Sequence, residues 1–292
     1  LKRGNGIITV HARDLRFDVQ ITLEELRDDG FDHQNNLVRA ALRRFIPDDF
    51  FGQDIFIGID IPLEAGASLG ISSSISVGLY RLINALLGRK VTLKQQIMEP
   101  VYVETSDLGL LGGTQDQAAA ASPWIATFIS VGRWPDTDIE YVRIDPTMVK
   151  FLNECVCHIF TGPHISSNTH RQARAQLTSR RRLKEVYDLF IGISYKARHA
   201  LVTGDIPLFI DAVNANTHAQ LAFYPGLAGP DIRSVMHLAE QMGALACKIC
   251  GAGGTGGTVS VVFDSHDATV AFYLVASPMF PTFTFLENRL AA

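Results

Sequence analysis

Four cysteines in 292 residues are too few for a disulfide framework, and they stand as two close pairs, Cys155-x-Cys157 and Cys247-x-x-Cys250. Both pairs sit in apolar text (Cys-Val-Cys-His-Ile-Phe and Ala-Cys-Lys-Ile-Cys), so core thiols are expected rather than a four-thiolate zinc site. A basic excess is also missing. Lys and Arg total 26 against 30 Asp and Glu, a formal charge of −4, which argues against a nucleic-acid partner. Long apolar runs are absent too. The least polar stretch, Ala118 to Gly132, is broken by Ser122, Pro123, Thr127 and Ser130, short of a membrane span. The start, Leu1 to Gly6, lacks both an initiator Met and the apolar region of a secretory signal. With reduced thiols, the expected compartment is the cytoplasm.

What the chain does have is core-forming material. It is 47% hydrophobic and 19% charged, which excludes wholesale disorder. A chain of this length buries about three quarters of its unfolded surface and needs no covalent staples. Ile7–Val10, Leu15–Ile21 and Ile55–Ile61 read as strands. Asn36 is placed to cap a helix carrying Leu37, Ala40, Ala41 and Phe45. Helical spacing of Ile75, Leu79, Leu82, Ile83 and Leu86 predicts a helix over 72–87, closed by Gly88. A second helix is expected over 92–105, a surface turn at Trp134–Asp138, and the longest helix over 183–201. The segregated pattern predicts an α+β chain of two lobes, 1–146 and 147–292, with a cleft between them.

Three segments carry chemistry. Gly66-Ala67-Ser68-Leu69-Gly70-Ile71-Ser72-Ser73-Ser74 joins a strong strand to a strong helix. Backbone N–H groups at a helix start make an anion site, and glycines admit a phosphate closely. No Lys follows, so this is not the Gly-x-x-x-x-Gly-Lys-Ser loop. The same text contains Gly66-x-Ser68-x-Gly70, a strand–turn–helix nucleophile elbow, which leaves a serine hydrolase open as an alternative. Gly251-Ala252-Gly253-Gly254-Thr255-Gly256-Gly257 matches Gly-x-Gly-x-x-Gly but precedes the strand-like Thr258–Phe263, so a dinucleotide site is rejected. Lys248 beside it is either a solvated charge or a ligand contact. In Gly112-Gly113-Thr114-Gln115-Asp116-Gln117, Asp116 can orient or deprotonate a hydroxyl, and with the upstream Glu104 it can share Mg²⁺.

In this order the three segments resemble those of the GHMP small-molecule kinases. Asp60-Ile61-Pro62 with the Gly/Ser loop resembles the family's Pro-x-x-x-Gly-Leu-Gly-Ser-Ser, and Gly113-Thr114-Gln115-Asp116-Gln117 and Gly251-Ala252-Gly253-Gly254 resemble two further motifs. Within the family the Gly-x-Gln-Asp-Gln-x-Ala-Ala pattern from Gly113 to Ala120 resembles the branch of D-glycero-D-manno-heptose 7-phosphate kinase, supported by Phe160-Thr161-Gly162 and Gly204-Asp205, with L-fucokinase close behind. The resemblance implies a ribosomal-S5-like N-terminal lobe and a ferredoxin-like C-terminal lobe. It also implies ATP and Mg²⁺, a sugar or sugar-phosphate substrate, and compatibility with a homodimer. Residue by residue, it implies nucleotide contacts from Ser68, Leu69, Gly70, Ser72, Ser73 and Ser74, and metal ligation by Ser72 and Glu104. Asp116 becomes the catalytic group, and Gly113, Thr114, Gln115, Gly251, Gly253 and Gly254 face the substrate. Ser68, Ile71 and Thr114 depart from the pattern, as does the insertion after Pro62 that includes Glu64. The family's N-terminal motif is not found, so the reading expects a family chain lacking its first few tens of residues. A catalytically silent binding or partner subunit is the alternative these departures motivate. The basic text from Arg171 to Lys184 reads as a solvated face rather than a phosphate grip.

Overall fold

The computed structural model describes residues 6–12, 17–28, 37–47, 54–61, 66–122, 126–131, 137–164, 166–251 and 253–287. Asn36, Pro62, Glu64 and most of the expected turn at Trp134–Asp138 lie outside the described residues. Backbone contacts gather the chain into two compact units. One is drawn from residues 1–65 and 70–123, the other from Gly66–Leu69 and 124–292.

In the first unit β1 (Ile7–Ala12) lies between β2 (Phe17–Thr22) and β3 (Ile55–Ile59). It runs antiparallel to β2, with Ile8 opposite Ile21, and parallel to β3, with Ile8 opposite Ile55 and Val10 opposite Ile57. Period-two alternation therefore puts these residues on one buried face. Phe56, between two of them, is exposed. The strand expected to reach Ile61 ends at Ile59.

Helix α1 (Leu23–Arg27) opens on a reciprocal cap: Glu25 N donates to Thr22 Oγ1, and the Glu25 carboxylate accepts from Thr22 N at 2.8 Å. Helices α2 (Leu37–Phe45) and α3 (Ile71–Leu86) bring Val38, Leu42, Phe45, Leu79, Tyr80 and Ile83 into the same core as the sheet. Phe45 meets Tyr80 edge to face with ring centroids 5.0 Å apart. Leu42 is fully buried here, and Leu42→Ala would cost about 2–5 kcal/mol. Gly88 takes φ +64° just beyond α3, as its position predicted.

The helix expected over 92–105 divides. It starts on a Thr92–Gln95 cap and runs as α4 (Leu93–Tyr102), then widens into a π-helical turn, Val103–Asp107, closed by Leu108 N donating to Val103 O at 3.0 Å. Pro100 inside α4 has no N–H to give its own turn, which loosens the ladder just before the widening. Helix α5 (Gln115–Ala121) packs on α3 and α4.

Beyond Gly66–Leu69, the second unit opens on an antiparallel hairpin, β4 (Ala126–Val131) and β5 (Thr137–Val142). Then come α6 (Pro146–Cys155), β6 (Val156–Phe160), α7 (Ser166–Ala175), α8 (Arg180–Thr203), α9 (Ile206–Phe223) and α10 (Pro230–Gln241). The chain continues through β7 (Ala246–Ile249), β8 (Thr258–Val262), α11 (His266–Met279) and β9 (Thr284–Glu287). Among the described residues α8 is the longest helix, and it ends at Gly204 with φ +71°.

The strand order β7-β8-β6-β9, with every neighbour antiparallel, interleaves two β–helix–β units as in a ferredoxin-like sheet. Strand β8 is buried along its length, and Val259, Val261 and Phe263 pack with Ile232, Val235 and Phe272. Helix α9 lies along the edge strand β7 and caps carbonyls at and just before it: Asn214 Nδ2 donates to Leu245 O at 2.9 Å and Thr217 Oγ1 to Cys247 O at 2.6 Å.

Cys155 closes α6, rather than lying in a strand, and is buried, as is Cys157 on β6. Burial pushes the Cys157 and Cys247 thiols up to about 12. Among the described residues no helix is long and apolar enough to cross a membrane.

Candidate active site

In the first unit the chemistry gathers at the N-terminus of α3. Gly70 is the helix cap, at φ +68°, and offers no side chain to the first N–H groups. Those groups and the helix dipole present positive potential. A Cβ placed on Gly70 would lie 3.4 Å from the Cβ and 3.5 Å from the Cγ of Asp116, so this exposed carboxylate, in the first turn of α5, lies over the helix start. Ser72 is exposed and Ser73 buried. Ser73 Oγ donates to Glu104 Oε1 at 3.2 Å.

Glu104 stands on the π-helical turn, and Gly112 passes its other oxygen at 3.8 Å from where a Cβ would be. Burial raises the pKa of Glu104, against the hydrogen-bonding influence of Ser73, Gln117 and Ser72, while the charge of Asp116 adds to the rise. Arg44 of α2 holds the segment from outside. Its Nε donates to Glu99 Oε2 at 3.0 Å, and its Nη1 to both oxygens of Asp107 at 3.0 Å. Its guanidinium also lies over the Tyr102 ring, 5.1 Å from the centroid.

The hydroxyls of Ser72 and Ser73, the Glu104 carboxylate and the nearby Asp116 form an all-oxygen set suited to a hard cation with retained waters, as Mg²⁺ requires. A buried amide, Gln117, lies against the same carboxylate, near enough to favour its charged form but without closing a hydrogen bond of ordinary length, and fits that assignment. Among the described residues no group of three His, Cys, Asp or Glu is placed to hold a metal.

In the second unit, Gly66–Leu69 folds against the glycine loop that joins β7 to β8. Ser68 is the only non-glycine with positive φ, 59°, among the described residues. Such a backbone costs about 1–2 kcal/mol. Its Oγ lies 3.1 Å from His164 Nε2, and His164 Nδ1 lies 2.6 Å from Gly66 O. A carbonyl only accepts, so Nδ1 carries the proton when the ring is neutral, and Nε2 is left to accept from Ser68. Cβ atoms placed on Gly251 and Gly257 would each lie 3.1 Å from Ser68 Oγ, so a side chain at either position would have to displace Ser68. Thr258 Oγ1 donates to Ala67 O at 2.6 Å and ties the two segments together.

Two family models match the chain: GHMP kinases N terminal domain over residues 36–122 and GHMP kinases C terminal over residues 197–274. Together they cover more than half of it. The chain belongs to the GHMP kinase family. No curated protein is matched by sequence. Solved structures agree on the fold. A D-glycero-D-manno-heptose 1-phosphate kinase from Bacteriodes thetaiotaomicron is 18% identical, with a TM-score of 0.69, covering 100% of this chain and 86% of that one. Lactococcus lactis galactokinase complexed with galactose is 14% identical at a TM-score of 0.77, covering 100% and 84%. Streptococcus pneumoniae phosphomevalonate kinase, in complex with phosphomevalonate and AMPPNP, is 15% identical at 0.69, covering 97% and 88%.

Within this GHMP kinase fold, Gly70, Ser72, Ser73, Glu104 and Asp116 come together in the first unit. Ser68 and Gly251 meet in the second. Leu69, Ser74, Gly113 and Gln115 are exposed. Thr114 is buried as the residue before α5. Gly253 and Gly254 are buried for a local reason: Gly254 N donates to Leu227 O and Gly229 N to Gly254 O, both at 2.8 Å. Lys248 is half-buried and held by its own unit. Its Nζ donates to Gln220 Oε1 at 3.0 Å and to Ile249 O, and burial lowers its pKa. Arg181 and Lys184 pair with Glu185 and Asp188 on their own helix, the arrangement of a solvated face. His164 was invisible in the sequence, since nothing in its spacing relates it to Ser68. Gln117 was in view within its motif but had no assigned role.

Proposed function

We propose that this GHMP kinase transfers the γ-phosphoryl group of ATP to a hydroxyl of a sugar or sugar phosphate, a heptose 7-phosphate-like substrate. The observation that carries the proposal is the convergence of Ser73, Glu104 and Asp116 on the N-terminus of α3. Phosphoryl transfer asks mostly for positioning and charge neutralisation. In this reading the α3 N–H groups and the loop of Ser68, Leu69, Gly70, Ser72, Ser73 and Ser74 bind the triphosphate. Ser72 and Glu104 hold Mg²⁺, which supplies charge neutralisation on the phosphoryl oxygens. Asp116 orients the acceptor hydroxyl and takes its proton. Gly113, Thr114, Gln115, Gly251, Gly253 and Gly254 shape the substrate side. Similarity to a heptose 1-phosphate kinase and a galactokinase supports a sugar acceptor. A cytoplasmic enzyme, with a homodimer as one assembly, completes the proposal.

The test is an ADP-release screen across heptose 7-phosphates, fucose and galactose, with Asp116→Asn as control. Sugar-dependent release that Asp116→Asn loses supports the reading. Nucleotide binding without release for any sugar turns it toward the silent binding subunit.

One observation favours a second reading. Ser68, on its strained elbow, faces a histidine whose tautomer suits a general base. A serine hydrolase predicts cleavage of p-nitrophenyl esters that Ser68→Ala and His164→Gln both abolish. Retention of that cleavage in Ser68→Ala ends the hydrolase reading.

A further inference from the structure

Gln117 is fully buried in the first turn of α5, with 1% of its surface exposed, yet neither its Nε2 nor its Oε1 closes a hydrogen bond. Leaving a buried polar group without a partner is costly, and native interiors hold few of them. An apolar side chain of the same shape would pack there without that cost. The amide is not isolated, however. It lies against the Glu104 carboxylate and favours its charged form, alongside Ser73 and Ser72. Ser76, one turn beyond Ser73 on α3, is also fully buried with its Oγ unpartnered. Gln117 on α5 and Ser76 on α3 are therefore buried polar groups whose hydrogen-bonding capacity the chain itself does not use.

We propose that Gln117 is a positioning residue for the cation of the kinase reaction, an inference that rests on the function proposed above. Its Nε2 donates to Glu104 and fixes the carboxylate's orientation. Its Oε1 accepts from a water in the cation's retained shell. Both atoms then acquire partners, and the burial cost is offset when the cation binds. Partners of this kind, one step removed from the ion, typically change metal affinity by about 10–100-fold.

The experiment measures Mn²⁺ affinity by the free-ion EPR signal, in the presence of AMPPNP, for the full chain and three variants. The isosteric Gln117→Met is expected to bind Mn²⁺ at least about tenfold more weakly and, without metal or nucleotide, to melt at or above the wild-type temperature. Gln117→Asn, which keeps the amide but shortens its reach, is expected to weaken Mn²⁺ binding in the same direction and serves if Gln117→Met does not fold. Glu104→Gln is expected to lose Mn²⁺ binding. If Glu104→Gln loses Mn²⁺ while the Gln117 variants match wild type, the inference is overturned and the kinase reading stands. If wild-type protein binds no Mn²⁺ with AMPPNP, both fall.

Discussion

Glycines in the loop between β7 and β8 offer a graded test of which close approaches hold the second unit together. At Gly253 an added methyl would sit 2.1 Å from Leu227 O and 2.7 Å from the Ile249 Cγ2, with φ at +55°. An ordinary carbon–oxygen contact is over 3 Å, and the carbonyl is backbone, so the loop or the Leu227–Gly229 segment has to move by about 1 Å. That movement breaks the pair of hydrogen bonds linking Gly254 with Leu227 and Gly229, at about 0.5–1.5 kcal/mol each. The left-handed backbone adds about 1–2 kcal/mol for any residue with a Cβ.

Gly253→Ala is therefore expected to cost about 3–4 kcal/mol, a fall in Tm of roughly 10 °C. At Gly251, with φ +56°, the methyl would meet the Cβ and Oγ of Ser68 at 3.0 and 3.1 Å. The backbone cost is the same, but the obstacle is one small side chain. Gly251→Ala is expected to cost about 1–2 kcal/mol and to act chiefly by displacing Ser68. Thermal unfolding by circular dichroism, with nucleotide affinity measured beside it, separates the two effects. A Gly253→Ala protein as stable as Gly251→Ala would refute the packing argument.

Glu104→Gln is expected to melt above wild type at pH 7 without metal. The raised pKa means that the folded state favours the protonated acid: this contribution is full below the ordinary value of 4.5 and is lost as pH rises through the folded-state value. The gap should therefore narrow toward acid, and a gap that widens there would contradict the sign. Arg44→Ala removes the ties to Glu99 and Asp107 and is expected to cost about 1–2 kcal/mol in urea denaturation, with a larger loss of Mn²⁺ affinity than of stability. An unchanged Mn²⁺ affinity would show that the π-helical turn keeps Glu104 in place by itself. Cys157 and Cys247, with thiols near 12, are roughly one part in ten thousand thiolate at pH 8. Iodoacetamide should label them only after denaturation, and mass spectrometry of the native protein tests it.

The sequence by itself determined the elements whose physics is local. Helical spacing from Ile75 to Leu86 with Gly88 beyond it and the long run through Leu183 to Leu201 appear as expected, and the strand expected over Ile55–Ile61 appears over its first five residues. The segment from Gly66 to Ser74 was legible as the turn into a helix for the same reason: glycines and hydroxyls before a helix act through their own backbone.

Where a local rule met a tertiary demand, the tertiary structure decided. Pro100 and the packing of α4 turn the end of an expected helix into the π-helical turn that carries Glu104. Lys248, ambiguous as text, is drawn inside because α9 offers Gln220 to its ammonium. The pairing of Ser68 with His164 joins residues far apart in the chain, and the burial of Gln117 against Glu104 joins two different helical elements; no local pattern encodes either contact. Spacing reports the period of a helix or a strand; which two faces meet is set by the packing of whole elements.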